Sequence, residues 1–266
     1  MMRSTTKNKK RAKGIKTGPL WAALFWLVLW QGASMVLNSR LLLPSPLETL
    51  AALTRLCGEE GFWAAVFFSF ARIAAGFFLG TLAGAAASVA AYIFSAVRVL
   101  LSPLLFAVKA TPVASFIILA LVWFDSGNLA VFISFLMVMP IVYTSCLEGL
   151  CSADPLLLEM ADVYHVSFFK RARAIYLPAV APFFSSACQL GLGLAWKSGI
   201  AAEVIGLPAG SIGEGLYEAK LYFATGELFA WTVVIVLLSI LFEKSVLWLL
   251  NSLEKRMGVK KGADLF

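Results

Sequence analysis

The chain has 266 residues, is 61% hydrophobic and 14% charged, and carries a formal net charge of +7. A mean hydropathy of +0.86 excludes an ordinary soluble domain, and several mostly apolar stretches are long enough to cross a ~30 Å hydrocarbon core as helices. In such a chain the basic excess points to cytoplasmic loops and anionic lipid, not to nucleic acid.

The apolar stretches do not alternate, which argues against a β-barrel; helices satisfy their own backbone polar groups, as lipid demands. Cys57, Cys146, Cys151 and Cys188 form no CxxC pair and read as packing residues. A single histidine leaves no His-rich metal site and little room for histidine catalysis.

Residues 1–16 hold Arg3, Lys7, Lys9, Lys10, Arg11, Lys13 and Lys16, so 1–18 reads as a basic cytoplasmic tail. The run PLWAALFWLVLWQGASMVLN at 19–38 has near-span length and no A-x-A site after it. It reads as a retained first span, not a cleaved signal. Pro44 and Pro46 follow, and 47–56 predicts a short amphipathic helix at the outer surface. The second span lies within 62–95, where Gly76, Gly80 and Gly84 recur every fourth residue and invite close helix approach. Its 34 residues exceed one span, so its first part projects or the helix tilts.

Spans three and four are expected at 101–123 and 129–149, five at 179–202, and six at 228–250. Between the last two, 203–227 reads as an outer loop with a short helix, and 251–266 as a basic cytoplasmic tail. This makes 19–250 one transmembrane domain. On this scheme fifteen Lys and Arg lie inside: seven in the tail, then Arg98, Lys170, Arg171, Arg173, Lys255, Arg256, Lys260 and Lys261. Only Arg40, Arg55 and Lys220 lie outside. The bias sets both termini in the cytoplasm.

The cytoplasmic stretch 150–178 is longer than a connection needs. Asp154-Pro155 is a good helix start, with Asp as N-cap and Pro at the first helical position. Leu156, Leu157, Met160, Ala161 and Tyr164 then form an apolar face at helical spacing. A second short helix is expected from Ser167 to Tyr176, ended by Leu177-Pro178, which turns the chain into span five. Two readings remain: a docking surface for another protein, or a solvated loop that packs only on its own spans.

The residues of this stretch resemble a known signature. Glu159-x-Ala161, a break at His165 and Ile175-x-Leu177-Pro178 are similar to the EAA loop, E-A-A-x3-G-x9-I-x-L-P, of ABC importer permeases. The pieces LPSP at 43–46, SFARIAAGFFLG at 69–80, LPAVAPFF at 177–184 and GLGLAWKSGIAAEVIG at 191–206 resemble the nitrate, sulfonate, taurine, bicarbonate and thiamine-precursor branch. The resemblance implies an all-α, six-span membrane protein with the fold of type I ABC importer permeases. It also implies a homodimer, two cytoplasmic ATPase subunits that bind ATP and Mg, and an external substrate-binding protein. Glu159, Ala161, His165, Ile175, Leu177 and Pro178 become the ATPase-coupling residues. Two positions depart from the signature. Met160 replaces an Ala, and His165 replaces a Gly, which implies either a different turn or a strained one.

GLGLAWKS at 191–198 looks like a broken P-loop, but Trp196 stands where the second glycine must be and the segment is apolar. Nucleotide binding is therefore assigned to a separate polypeptide, with no cofactor expected in this chain. Lys197, Trp196, Glu203 and Arg72 are candidates to line a translocation pathway, because ionisable groups in spans are costly and usually functional. A membrane-embedded enzyme is the rival, yet the spans hold no carboxylate pair, HExxH or Ser–His arrangement. An exporter half is a second rival, without this loop signature.

Overall fold

A computed structural model of the chain describes residues 18–37 and 42–256. The basic segment 1–16, Arg40 and the stretch 257–266 with Lys260 and Lys261 lie outside the described residues.

The described residues are helical throughout: α1 (Gly18–Leu37), α2 (Pro46–Leu56), α3 (Phe62–Ile93), α4 (Ser95–Ala110), α5 (Val113–Ala120), α6 (Ser126–Cys151), α7 (Pro155–Val163), α8 (Phe168–Arg171), a π turn (Ala172–Tyr176), α9 (Leu177–Gly206), α10 (Ile212–Leu221) and α11 (Thr225–Arg256). α2 starts where the sequence indicates. Ser45 Oγ accepts from the Glu48 amide at 3.2 Å, and the Glu48 carboxylate accepts from the Ser45 amide at 3.0 Å. Pro46 fills the first helical position.

The core is a three-helix packing of α3, α6 and α9. The glycine stripe explains why α6 lies so close to α3. A Cβ on Gly76 would sit 2.5 Å from the carbonyl oxygen of Val131, one on Gly80 2.9 Å from that of Phe135, and one on Gly84 2.7 Å from that of Met139. Both residue series ascend together, so the two helices run parallel. α9 packs antiparallel to α6: Ser134 Oγ donates to the Ala195 carbonyl at 3.1 Å, while Gly149 approaches Val180. α1 is peripheral and is pinned by Trp30 Nε1 to the Pro44 carbonyl at 3.1 Å.

Two expectations need correction. Of the six expected spans, four helices among the described residues, α3, α6, the α8–α9 rod and α11, are long and apolar enough to cross a membrane, five with the bent pair α4–α5 taken as one span, and α1 is apolar but shorter. The expected third span at 101–123 is instead α4 and α5, bent by 104° at Thr111-Pro112. The cause is local. A residue before proline avoids the helical region, and Thr111 is extended at φ −86, ψ 134.

The second correction concerns Leu177-Pro178, which does not end a helix. Phe168–Gly206 runs on as one 39-residue helix. An interior proline normally collides with the carbonyl four residues back. Here the turn just before it widens: the Leu177 amide donates to Ala172, five residues back. That single π turn absorbs the proline without breaking the rod.

The bundle has two ends. At one, α7 and α8 project near the last turns of α3. At the other, α2 and α10 pack on the start of α11, with Arg55 paired to Glu227.

Candidate functional site

At the α7–α8 end the chain forms a locked corner. Asp154 caps α7 by accepting from the Leu156 amide at 2.9 Å. The helix ends in a Schellman motif: the Val166 amide donates to the Ala161 carbonyl at 2.9 Å, and the His165 amide to that of Asp162 at 3.1 Å. The motif requires a left-handed residue at its turn, and His165 takes that conformation at φ 48. This is the position where the resembling signature has Gly.

Arg171, the last residue of α8, holds the corner from the other side. Its Nε donates to the Val166 carbonyl at 2.8 Å and its Nη2 to the Ala161 carbonyl at 3.0 Å. Nη1 pairs with Asp162. One planar guanidinium thus bonds three groups of the preceding turn, a fork that a lysine cannot reproduce. Ala161 is buried at the joint. Ile175, in the π turn, and Pro178 are partly buried, and Leu177 is exposed.

The outer surface of the corner is uncovered. Leu156, Met160, Val163, Tyr164, Phe168 and Phe169 are exposed, Phe169 to 84%. Glu159 stands among them, exposed on the middle of α7, with no ion pair among the described residues. Sequence reasoning found the loop but not Arg171 as its clamp. The signal, one of three basic residues between positions 170 and 173, has meaning only once the chain folds back.

The pathway candidates do not form one group. Trp196 is 2% exposed. Its indole donates to the Ile235 carbonyl at 2.9 Å and packs beside Phe70 and Phe242. It is a core residue. Glu203 is also buried. Its Oε2 accepts from Ser69 Oγ at 2.6 Å and from the Gly213 amide at 3.3 Å, while Ser69 Oγ accepts from the Ile212 amide at 3.0 Å. The Glu214 amide bonds Ser211 Oγ at 3.0 Å. The first three amides of α10 are thereby satisfied, and the outer helix is stapled to α3 and α9. Ser69, 134 residues from Glu203, carried no readable signal.

Arg72 is half-buried beside Glu203, with its guanidinium stacked on Phe68 at 3.9 Å and close to Gly127 at the start of α6. Lys197 points elsewhere. It is exposed while Trp196, Ser198, Gly199 and Ile200 are buried. Ser186, Gln189, Leu190 and Gly193 lie on its side of α9, Leu190 exposed to 67%, and a Cβ on Gly193 would meet nothing within 4 Å. The exposed residues of α11 include the apolar Val236, Leu237, Ile240, Leu241 and Trp248 beside Thr232, Lys244 and Ser245.

An all-helical bundle with several helices long and apolar enough to cross a bilayer is the architecture of a multi-pass membrane protein. The comparisons agree. The chain belongs to the family of binding-protein-dependent transport system inner membrane components, whose family model matches residues 62–259. It is similar to the taurine transport system permease protein TauC of Escherichia coli K12, 27% identical over 241 residues, covering 88% of this chain and 86% of that one. It is also similar to the putative aliphatic sulfonates transport permease protein SsuC of Bacillus subtilis 168, 25% identical, with 83% and 80% covered. A third relative is the bicarbonate transport system permease protein CmpB of Synechococcus elongatus, 23% identical, with 93% and 96% covered. The chain is a multi-pass, non-catalytic permease subunit of an ABC importer, working with a substrate-binding protein and an ATPase.

Proposed function

We propose that two copies of this chain form a passage for a small anion, and that each α7–α8 corner sits in a groove of a cytoplasmic ATPase. In this reading the ATPases hold ATP and Mg, both termini of the chain are cytoplasmic, and the binding protein docks at the α2–α10 end. The observation that carries the reading is the Arg171-locked corner joined to α9 without a break. A body seated on Tyr164, Phe168 and Phe169 can move α9 only by moving the corner with it.

The relatives named for taurine, sulfonates and bicarbonate support a small anionic substrate. The side of α9 that carries Lys197 supports the passage. It sets Ser186, Gln189 and Gly193 beside Leu190, and a cation there raises the local concentration of an anion.

The test reconstitutes the chain with its ATPase and binding protein. Glu159→Lys is expected to weaken ATPase co-purification and abolish substrate-stimulated ATP hydrolysis. A desolvated interfacial carboxylate that loses its partner costs about 2–5 kcal/mol. Lys197→Met is expected to leave assembly and ATPase attachment intact and to lower transport. Normal transport by Glu159→Lys would remove the corner as the coupling surface; normal transport by Lys197→Met would remove the Lys197 side of α9 as the passage.

A further inference from the structure

Behind the corner lies a cavity of about 450 Å³. Its walls are the last turns of α3 and α6, the start of α9 and the end of α11, with Val89, Cys146, Phe184 and Leu250 facing Phe168 and Ala172 of the α8–π turn element. The polar atoms at its edge are already engaged. Ser88 Oγ donates to the Ala85 carbonyl at 2.7 Å, the Tyr92 and Tyr176 hydroxyls share a hydrogen bond of 3.3 Å, and Ser185 is engaged as well.

This chemistry selects the guest. Water needs about two to four polar partners, and the few hydroxyls here sit at the edge of a lining that is otherwise apolar. A hydrated anion has still less reason to enter. Val89, Ile93 and Phe168 are exposed at the rim, so the cavity opens toward the apolar surroundings of the bundle. In a bilayer the abundant apolar molecule is the lipid chain. The adjoining element, FFKRARAIY at 168–176, holds three basic side chains and no acidic one. Arg171 is committed to the corner, whereas Lys170 and Arg173 are exposed. Basic side chains at a membrane surface attract anionic headgroups.

We propose that the cavity holds an acyl chain of an anionic phospholipid whose headgroup lies against Lys170 and Arg173. The π turn that relieves Pro178 then rests on lipid, and the start of α9 responds to it.

The experiment uses the full chain in phosphatidylcholine nanodiscs that contain a photoreactive phosphatidylglycerol with a diazirine near one acyl end. Adducts are expected on Ser88–Ile93 and on Ala172–Ser185. Ala172→Trp fills the cavity and should abolish these adducts while those on Trp21–Leu37 persist, which reports an inserted, folded chain. Ser88→Leu carries the same expectation if the tryptophan prevents insertion. Lys170→Gln with Arg173→Gln should remove the preference for the glycerol probe over an equivalent phosphatidylcholine probe. Absent adducts in the wild type, adducts undiminished by filling, or equal labelling by both probes in the wild type would overturn the proposal. A photocrosslinker at Val89 that captures a second copy or another protein instead of lipid would do the same.

Discussion

The guanidinium of Arg171 donates to the carbonyl oxygen of Ala161, 3.0 Å away and ten residues back in the chain. With its bond to Val166 it fixes the angle between α7 and the long rod of α8 and α9. Charge-assisted bonds of this kind contribute about 1.5–3 kcal/mol each before solvent weakens them. The Asp162 carboxylate is largely exposed, so that pair adds little. Arg171→Ala is expected to leave the bundle folded and to free the corner, raising amide exchange at His165 and Val166 and uncoupling ATP hydrolysis from transport. Arg171→Lys should behave nearly as badly, since a point cation cannot bond both carbonyls together. Unchanged exchange in either variant would show that the corner holds itself.

His165 occupies a left-handed turn that costs an ordinary side chain about 1–2 kcal/mol. His165→Gly is therefore expected to keep ATPase attachment and transport and to raise thermal stability slightly. His165→Val puts a branched side chain in the same place, which tolerates positive φ less well than His, and should lower stability below that of the His165 protein. The midpoints of the three proteins in one detergent, ranked Gly, His, Val, are the measurement.

How much of this was legible is best seen at particular residues. Asp154-Pro155 announced its helix because caps are local chemistry. The stripe of Gly76, Gly80 and Gly84 announced a close partner but not that the partner was α6. His165 was marked as a strained turn by the glycine that the resembling signature carries there. The bend at Thr111-Pro112 lies inside a run of apolar residues whose length alone suggests a single span at 101–123. The π turn before Pro178, the Arg171 clamp and the Ser69–Glu203 bond were not legible. Each depends on where distant backbone arrives, which no spacing along the chain encodes. Lys197 and Trp196, adjacent in sequence, point to solvent and core because successive helix positions differ by about 100°.

The glycine stripe allows a sharp test. A Cβ on Gly84 would meet the Met139 carbonyl at 2.7 Å and Val142 Cβ at 2.9 Å, so backbone has to move. Gly84→Ala is expected to destabilise by about 1–3 kcal/mol, as overpacking does elsewhere. Gly193→Ala, with open space around it, should leave stability unchanged or improve it by up to about 1 kcal/mol from helix propensity. Recovery of folded protein after mild heating checks both, and equal losses would discount the packing argument.

Glu203 should behave as a staple for α10. Glu203→Ala leaves the Ser69 hydroxyl and the Gly213 amide without their acceptor, each at about 1–3 kcal/mol. Glu203→Gln keeps an oxygen that can accept from both and should lose much less. Limited proteolysis between residues 207 and 211, accelerated in the Ala variant and near normal in the Gln variant, is the expected pattern. Equal protection in both would assign the anchoring of α10 to other contacts.

The uninterrupted run from Phe168 to Gly206 has a thermodynamic meaning. At 1.5 Å per residue it is about 60 Å long, and it carries Arg171 near one end and Glu203 near the other. Any partner that prefers one tilt of this rod at the corner must shift what the α10 end prefers, and by linkage the shift is equal in reverse. A nucleotide-driven event on one side of the bilayer and the arrival of a loaded binding protein on the other are then two ligands of a single mechanical variable. Each would report its presence to the other by the same factor in affinity.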